Sequence, residues 1–384
     1  MSADTNIATL AADGSAFAGA TVADLVEAIS DAFPAQWAEP WDRVGLLAGD
    51  SAAPAMPVLV TLDPTQAALD RAVELGARTL LTHHPAFLTT PEPVAGRGPA
   101  GVVFRALRQG IALVAAHTNL DRSPAGGDAL PLAVGLAIVS PLERSTQVVD
   151  LVTVFVPASD EETVVEAMAT AGAGRLGNYE ASSFSAPGEG TFTPREGAEP
   201  AAGTWEVTGA MHNPEHRVEM AAPAGTGSAV AQAARAVHPY EEPLIVVTEA
   251  HIARGAARLG RLCEPSGHVT LAELAAQVGI ALSCTPRFWG EADLQVGLVA
   301  TAPGSGSSLV ADAVSCGANV ILTGELRYHD ALKALDAGLA VIEAGHDATE
   351  WPLVPILASA ALRTPALMRA DVVVDERRTL WRTA

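Results

Sequence analysis

Aromatic residues are scarce, at 4% of 384 positions, although 49% of the residues are hydrophobic. That balance excludes a core built on large rings and points to an Ala/Val/Leu-rich α/β protein with tightly packed helices. Cysteine is scarce as well: Cys263, Cys284 and Cys316 are scattered and odd in number. They form neither a disulfide framework nor a CxxC metal knuckle, so the expectation is small buried thiols in a reducing compartment. Basic residues are few, 23 Lys and Arg against 44 Asp and Glu, giving a formal net charge of -21. Such a surface repels nucleic acid and anionic membranes, and neither is expected as the main partner. A local basic pocket for a small anion stays open. No apolar run reaches the roughly 18 residues of a membrane span. Met1 to Leu10 lacks the basic and apolar segments of a secretory signal. A cytoplasmic location is expected.

The length suits two or three domains. Thr21 before Val22–Ile29 reads as a capped amphipathic helix, and Trp41 to Leu47 as a lead into a loop. The tryptophans there are expected to be packing residues. From Pro57 to Pro85 a strand (Val58–Leu62), a helix (Ala67–Leu75, stopped by Gly76) and a second strand (Arg78–Thr82) form a parallel unit. A helix (Val102–Arg108) and strand (Ile111–Ala116) follow, then a helix from Gly126 through Leu136. Residues 147–255 read as a separate α+β insert. Its strand Val148–Val156, helix Glu161–Ala169, helix Ala229–Val237 capped by Ser228, and strand Leu244–Val247 surround a long loop or hairpin at 186–203. The α/β pattern then resumes with strands at Leu294–Thr301, Asn319–Leu322 and Leu339–Glu343, and helices at Leu309–Ser315, Ala331–Leu335 and Trp351–Leu362.

The two α/β parts look like copies of one unit. Gly76–Thr82 lies opposite Gly317–Thr323, and His117 with Asp121 lies opposite His346 with Glu350, each a histidine with an acid four residues later. The expected domains are therefore 1–146, 147–255 and 256–384: two related three-layer α/β halves that share one cleft, plus the insert. Facing halves would gather His83, His84, Asp121, His346 and Glu350 at the carboxyl ends of buried strands, where α/β sheets build their sites.

Those five groups are too many for one structural zinc. They suit two divalent ions roughly 3.5–4 Å apart with Asp121 bridging, a pair that polarises an oxygen and acidifies water. Mixed nitrogen and oxygen ligation admits Zn, Mn, Fe or Co. His117 would support the ligands from behind, and Glu325, His329 or His117 would transfer protons. Each group also has an ordinary reading: His83 and His84 as polar cappers of a strand end, Glu325 and His329 as surface residues. Gly304-Ser305-Gly306-Ser307-Ser308 could hold an anion on backbone N–H groups, or simply turn, since it lacks a P-loop lysine.

The stretches Trp41-Asp42-Arg43-Val44-Gly45-Leu46, Leu81-Thr82-His83-His84-Pro85, His117-Thr118-Asn119-Leu120-Asp121, Gly304–Ser308, Leu322-Thr323-Gly324-Glu325 and Gly345-His346-Asp347-Ala348-Thr349-Glu350, in that order, resemble the Nif-three-like proteins, the GTP cyclohydrolase I type 2 homologs. The resemblance implies a dinuclear metal centre on residues matching His83, His84, Asp121, His346 and Glu350. It also implies a PII/CutA-like middle insert, carried by Phe184–Pro194 and His238–Pro243, and a toroidal homohexamer. Arg43 departs from the asparagine expected there. The functional expectation is a dinuclear metal-dependent hydrolase of a small nucleotide-like or cyclic amide substrate. The rivals are a non-catalytic metal-binding or regulatory scaffold and a purely structural metal pair.

Overall fold

The computed structural model describes residues 19–89, 98–144, 146–176, 179–198, 200–201, 210–253, 255 and 257–377. Internal contacts divide the chain into two units: Met1–Arg144 with Ala256–Ala384, and Ser145–Gly255.

In the first unit Thr21 opens helix α1 (Val22–Ala32) with a capping box: its hydroxyl accepts from the Asp24 N–H, and Asp24 accepts from the Thr21 N–H. Such a cap contributes about 1 kcal/mol. Val22, Leu25, Ala28 and Ile29 form its buried face at helical spacing. Strands β1 (Gly45–Ala48) and β2 (Val58–Thr61), helix α2 (Gln66–Glu74), β3 (Thr79–Thr82), α3 (Gly98–Arg108), β4 (Ala112–Ala115), α4 (Thr118–Arg122), α5 (Pro124–Ala133) and β5 (Ala137–Pro141) follow. Every residue of β2, β3 and β4 is buried, as parallel strands covered on both faces require. The expected loop after Trp41 is in fact β1. Val44 to Ala48 is too short a run to stand out, and its strand is defined by antiparallel pairing to β4.

The second unit holds β6 (Thr146–Val156), α6 (Glu161–Thr170), β7 (Phe184–Phe192), β8 (Met211–Pro223), α7 (Gly227–Val237) and β9 (Ile245–Ala253). Its antiparallel sheet has the order β7-β8-β6-β9. Val152, Val154 and Val156 of β6 pack with Val218, Met220 and Ala222 of β8 against Val164 and Met168 of α6 and Val230 of α7. The alternation places one face of the sheet under the helices. The segment 186–203 is strand through Phe192 and irregular at 193–198 and 200–201, and its other residues lie outside the described ones. Ser228 does not cap α7. The position before the helix is Thr226, and the Gly227 N–H is instead taken by Asp150 Oδ2 at 2.8 Å.

The first unit then continues with β10 (Arg261–Glu264), α8 (Leu271–Leu282), β11 (Arg287–Trp289), β12 (Val299–Ser305), α9 (Val310–Ser315), β13 (Val320–Glu325), α10 (Tyr328–Asp336), β14 (Ala340–Glu343), α11 (His346–Glu350), α12 (Leu353–Ala361) and β15 (Val372–Val374). The strand expected at Leu294–Thr301 lies later, and it runs through Pro303 and Gly304. A register shift between Ala302 and Ser305 relieves that stretch of regular pairing with β13, so the missing proline N–H costs no ladder bond.

Two sheets result, ordered β1-β4-β3-β2-β15 and β11-β14-β13-β12-β10-β5. β2, β3 and β4 are parallel, and so are β12, β13 and β14. The chemistry-bearing residues follow or end these strands: Asp63 after β2, His83 and His84 after β3, His117 after β4, Gly304 and Glu325 near the ends of β12 and β13, and His346 after β14. Carboxyl ends of parallel strands are where side chains from several loops converge.

Candidate metal centre

β3 delivers two consecutive histidines whose N–H groups continue the pairing with β2, to Thr61 O (3.3 Å) and Leu62 O (3.0 Å). Because the site lies beyond the strand end, both rings reach it, with centroids 5.0 Å apart. His83 is wholly buried. Its Nδ1 lies 3.0 Å from Ala116 O, and a carbonyl only accepts, so the proton is on Nδ1 and Nε2 offers a lone pair. Burial pushes the His83 pKa down to about 3, against the pull of Glu350.

Nε2 of His83 faces Asp121 Oδ1 at 3.5 Å. Both atoms are buried without a hydrogen-bond partner. Two acceptors that face each other inside a protein need a cation or a proton between them. Burial first, and then repulsion by Glu350, raise the Asp121 pKa well above the usual carboxylate range. Asp121 comes from the short α4 immediately after His117.

Glu350 lies in the middle. Its Oε1 is 3.1 Å from His346 Nε2, one helical turn before it on α11, and 3.9 Å from His83 Nε2. Its Oε2 is 2.9 Å from His84 Nε2. Burial would raise its pKa, but bonds from His346 and His84 hold it below the ordinary range. His84 Nδ1 pairs with Asp63 at 2.7 Å. Burial works against charge on that ring, yet the bonds to Asp63 and Glu350 raise it to about 10. His346 is raised to about 9 by Glu350, with Glu325 adding from 3.2 Å on Nδ1.

Glycine makes the room. At Gly304, with φ +62°, a Cβ would fall 2.0 Å from Glu350 Oε1 and 3.1 Å from His346 Nε2. The Gly304 N–H donates to Thr349 Oγ1 at 3.0 Å. Gly304, the first residue of the Gly304–Ser308 stretch, thus floors the histidine and acid cluster.

All five expected ligands are thus brought together. Ligand atoms of His83, His84 and His117 lie within 4.8 Å of one another, and so do those of His84, His346 and Glu350. His117 is nearer the centre than a purely supporting role required, with its ring 5.2 Å from that of His83 and 5.6 Å from that of His84. Its Nδ1 binds Asp42 Oδ1 at 2.8 Å, while Thr118 N and Oγ1 bind Oδ2. Burial opposes the Asp42 charge, but these bonds bring its pKa down to about 2. Asp42 and Asp63 were missed as site residues. Their signal was present, since Asp63 ends a buried strand and Asp42 sits in the Trp-Asp-Arg stretch. Trp41, expected as a packing residue, packs at the surface beside the site. It is 57% exposed and meets His117 edge-on at 6.0 Å. Arg43, exposed, reaches Leu88 O at 3.3 Å. Among the described residues, no hydrogen bond or ring contact joins His329 to the cluster; it is exposed on α10 against Tyr328.

The donor set suits divalent ions: imidazole nitrogens and carboxylates, three of them (His83, Asp121 and Glu350) with orphaned buried atoms, around a cradle that a side chain at residue 304 would fill. The family model described as Duf34/NIF3 (NGG1p interacting factor 3) matches residues 20–377. The chain belongs to the Duf34/NIF3 family. A Mycobacterium bovis relative named GTP cyclohydrolase 1 type 2 homolog is 37% identical over 342 residues, spanning 86% of this chain and 88% of its own. A Halalkalibacterium halodurans relative of the same name is 35% identical over 337 residues, spanning 86% and 88%. The solved structure of a Bacillus cereus protein related to NIF3 is similar at a TM-score of 0.61 and 28% identity, covering 95% of this chain and 98% of that one. A Staphylococcus aureus protein is similar at 0.64 and 26%, covering 96% and 100%. The resemblance read from six short stretches is borne out for this Duf34/NIF3 chain. Among its described residues, no helix is long and apolar enough to cross a membrane.

Proposed function

We propose that this Duf34/NIF3 protein is a dinuclear metal-dependent hydrolase of a small nucleotide-like or cyclic amide substrate, with His83, His84, Asp121, His346 and Glu350 as ligands. The observation that carries the reading is the orphaned pair, His83 Nε2 and Asp121 Oδ1, 3.5 Å apart in the buried cluster. Each imidazole would hold an ion through one ring nitrogen, and the Asp121 and Glu350 carboxylates would supply the oxygens. Bound there, a divalent pair supplies Lewis acidity and makes water acidic enough to yield a nucleophile near neutral pH.

The chain's own residues prepare the rest. Asp63 fixes the His84 ring through Nδ1 and leaves Nε2 for the site, and Asp42 does the same for His117. Glu325, 57% exposed beside His346 Nδ1, is placed to orient that ring or to pass a proton to solvent. The name shared by the relatives supports a nucleotide-like substrate. The test is hydrolysis of nucleotide and cyclic-amide panels by metal-loaded protein. Turnover lost in His83→Ala, with the fold intact, supports the reading; two bound metals with no turnover anywhere count against it.

A second reading, a metal-binding scaffold that assembles as a ring, draws on the insert. Its edge strands β7 and β9 leave Phe184, Val246 and Val247 exposed, and open edges invite pairing. A homo-oligomer whose assembly is lost on charging Val246 and Val247, while metal stays bound, would support that role.

A further inference from the structure

A cleft of about 760 Å³ opens beside the cluster, lined by Asp63, His84, Arg287, Glu325, His346 and Asp347 among others. That volume suits a nucleotide-sized ligand. Its lining is acid-rich, and among the described residues that form it Arg287 alone carries a fixed positive charge. We propose that Arg287 receives an anionic group of the substrate, a phosphate in a nucleotide-like ligand, and so sets which molecules the cleft accepts. This rests on the reading of the cleft as a substrate site.

The arginine is held as a positioned fork. Arg287 pairs across the sheet with Glu343, the last residue of β14, three positions before His346. The guanidinium therefore stands at the same strand end as the metal-ligand histidine. Its Nε donates to Glu343 Oε2 at 2.7 Å and its Nη2 to Oε1 at 3.2 Å. Glu343 is itself buried, and it also accepts from Trp289 Nε1 at 2.7 Å and from the Leu326 N–H at 2.9 Å. Four donors hold that carboxylate in one place.

The opposite edge of the fork is open. The Arg287 side chain is 72% exposed, and among the described residues Nη1 makes no hydrogen bond. A planar fork clamped along one edge, with the other turned to a cleft, suits bidentate contact to a phosphate or carboxylate. If Arg287 served only to neutralise Glu343, lysine would do nearly as well and ligand choice would not change.

The experiment is calorimetric titration of the full-length, metal-loaded protein with GMP and with guanosine, on wild type, Arg287→Lys and Arg287→Ala. Metal content is measured on the same samples. Wild type is expected to prefer GMP by roughly tenfold or more, the worth of one charge-assisted contact. Both variants should lose most of that preference, with guanosine affinity and metal content unchanged. Retention of the preference in Arg287→Ala, or no GMP preference in wild type, overturns the proposal. The double variant Arg287→Ala/Glu343→Gln removes the orphaned buried carboxylate and separates loss of recognition from loss of fold. Little metal with an Arg287-dependent preference for GMP would overturn the metal reading and keep this one; metal in place with no role for Arg287 would do the reverse.

Discussion

The two units spend their strands differently. In the first, β2, β3, β4 and β14 are buried along their whole length, and the polar chemistry is pushed past their carboxyl ends. In the insert, β7 and β9 are exposed over most of theirs, and histidine and acid pairs lie on the surface: His212 with Glu189 is 58% and 61% exposed. The same residue types therefore mean different things. A histidine beside a carboxylate in water is a weak ion pair worth at most about 1 kcal/mol. Beside buried Glu350 it is part of a site whose atoms lack partners without a cation. Burial, more than residue identity, separates a cluster that could hold a metal ion from ion pairs in solvent.

The contrast can be broken most severely at Gly304. Gly304→Ala puts a methyl against Glu350 Oε1 at a backbone φ of +62°. It should destabilise by at least about 2 kcal/mol and empty the site, read by melting temperature and metal analysis. A smaller effect is expected from pH. His84 and His346 are raised to about 10 and about 9 in the folded chain. Protonation therefore stabilises the metal-free fold fully below the free-histidine pKa of about 6.5, and this is lost as pH rises through the folded values. With chelator present the melting temperature should fall between about pH 6.5 and about 10, while metal affinity climbs because bound protons no longer compete. A flat profile in both would detach these rings from the site.

Asp63→Asn should weaken metal binding by roughly 10- to 100-fold without unfolding the chain, since Asp63 only orients His84. Calorimetric metal titration measures it. Least of all, His212→Ala in the insert should shift stability by no more than about 0.5 kcal/mol and leave metal content alone.

Much of this was legible in the sequence, for reasons that differ by element. Buried parallel strands such as Leu80–Thr82 announce themselves as apolar runs, and the histidines after them are conspicuous. The threonine cap at Thr21 and the stop at Gly76 follow from local hydrogen bonding and backbone freedom. Four strands were not legible: β1, β10, β11 and β15 are no shorter than β2 or β3 by more than a residue, but β1, β11 and β15 are not fully buried, and pairing with distant segments makes all four strands. Helix α8 left a readable capping box in Thr270 and Glu273 within an apolar run that was not separated from its surroundings. At the site, the ligand types were visible, and Asp42 and Asp63 stood in marked stretches, but their roles were not legible, because a carboxylate's role depends on which imidazole nitrogen it faces. His329 shows the converse: a histidine near a motif in sequence that faces solvent in the fold.

The most direct measurement is elemental analysis of metal per chain in wild type and Asp121→Ala, both purified without added metal from metal-replete cells. The account predicts about two divalent ions per chain in wild type, falling sharply in the variant as the orphaned His83 loses its opposite ligand. Near-zero metal in both proteins would contradict it, and would leave the cluster as a buried network of protonated acids and histidines.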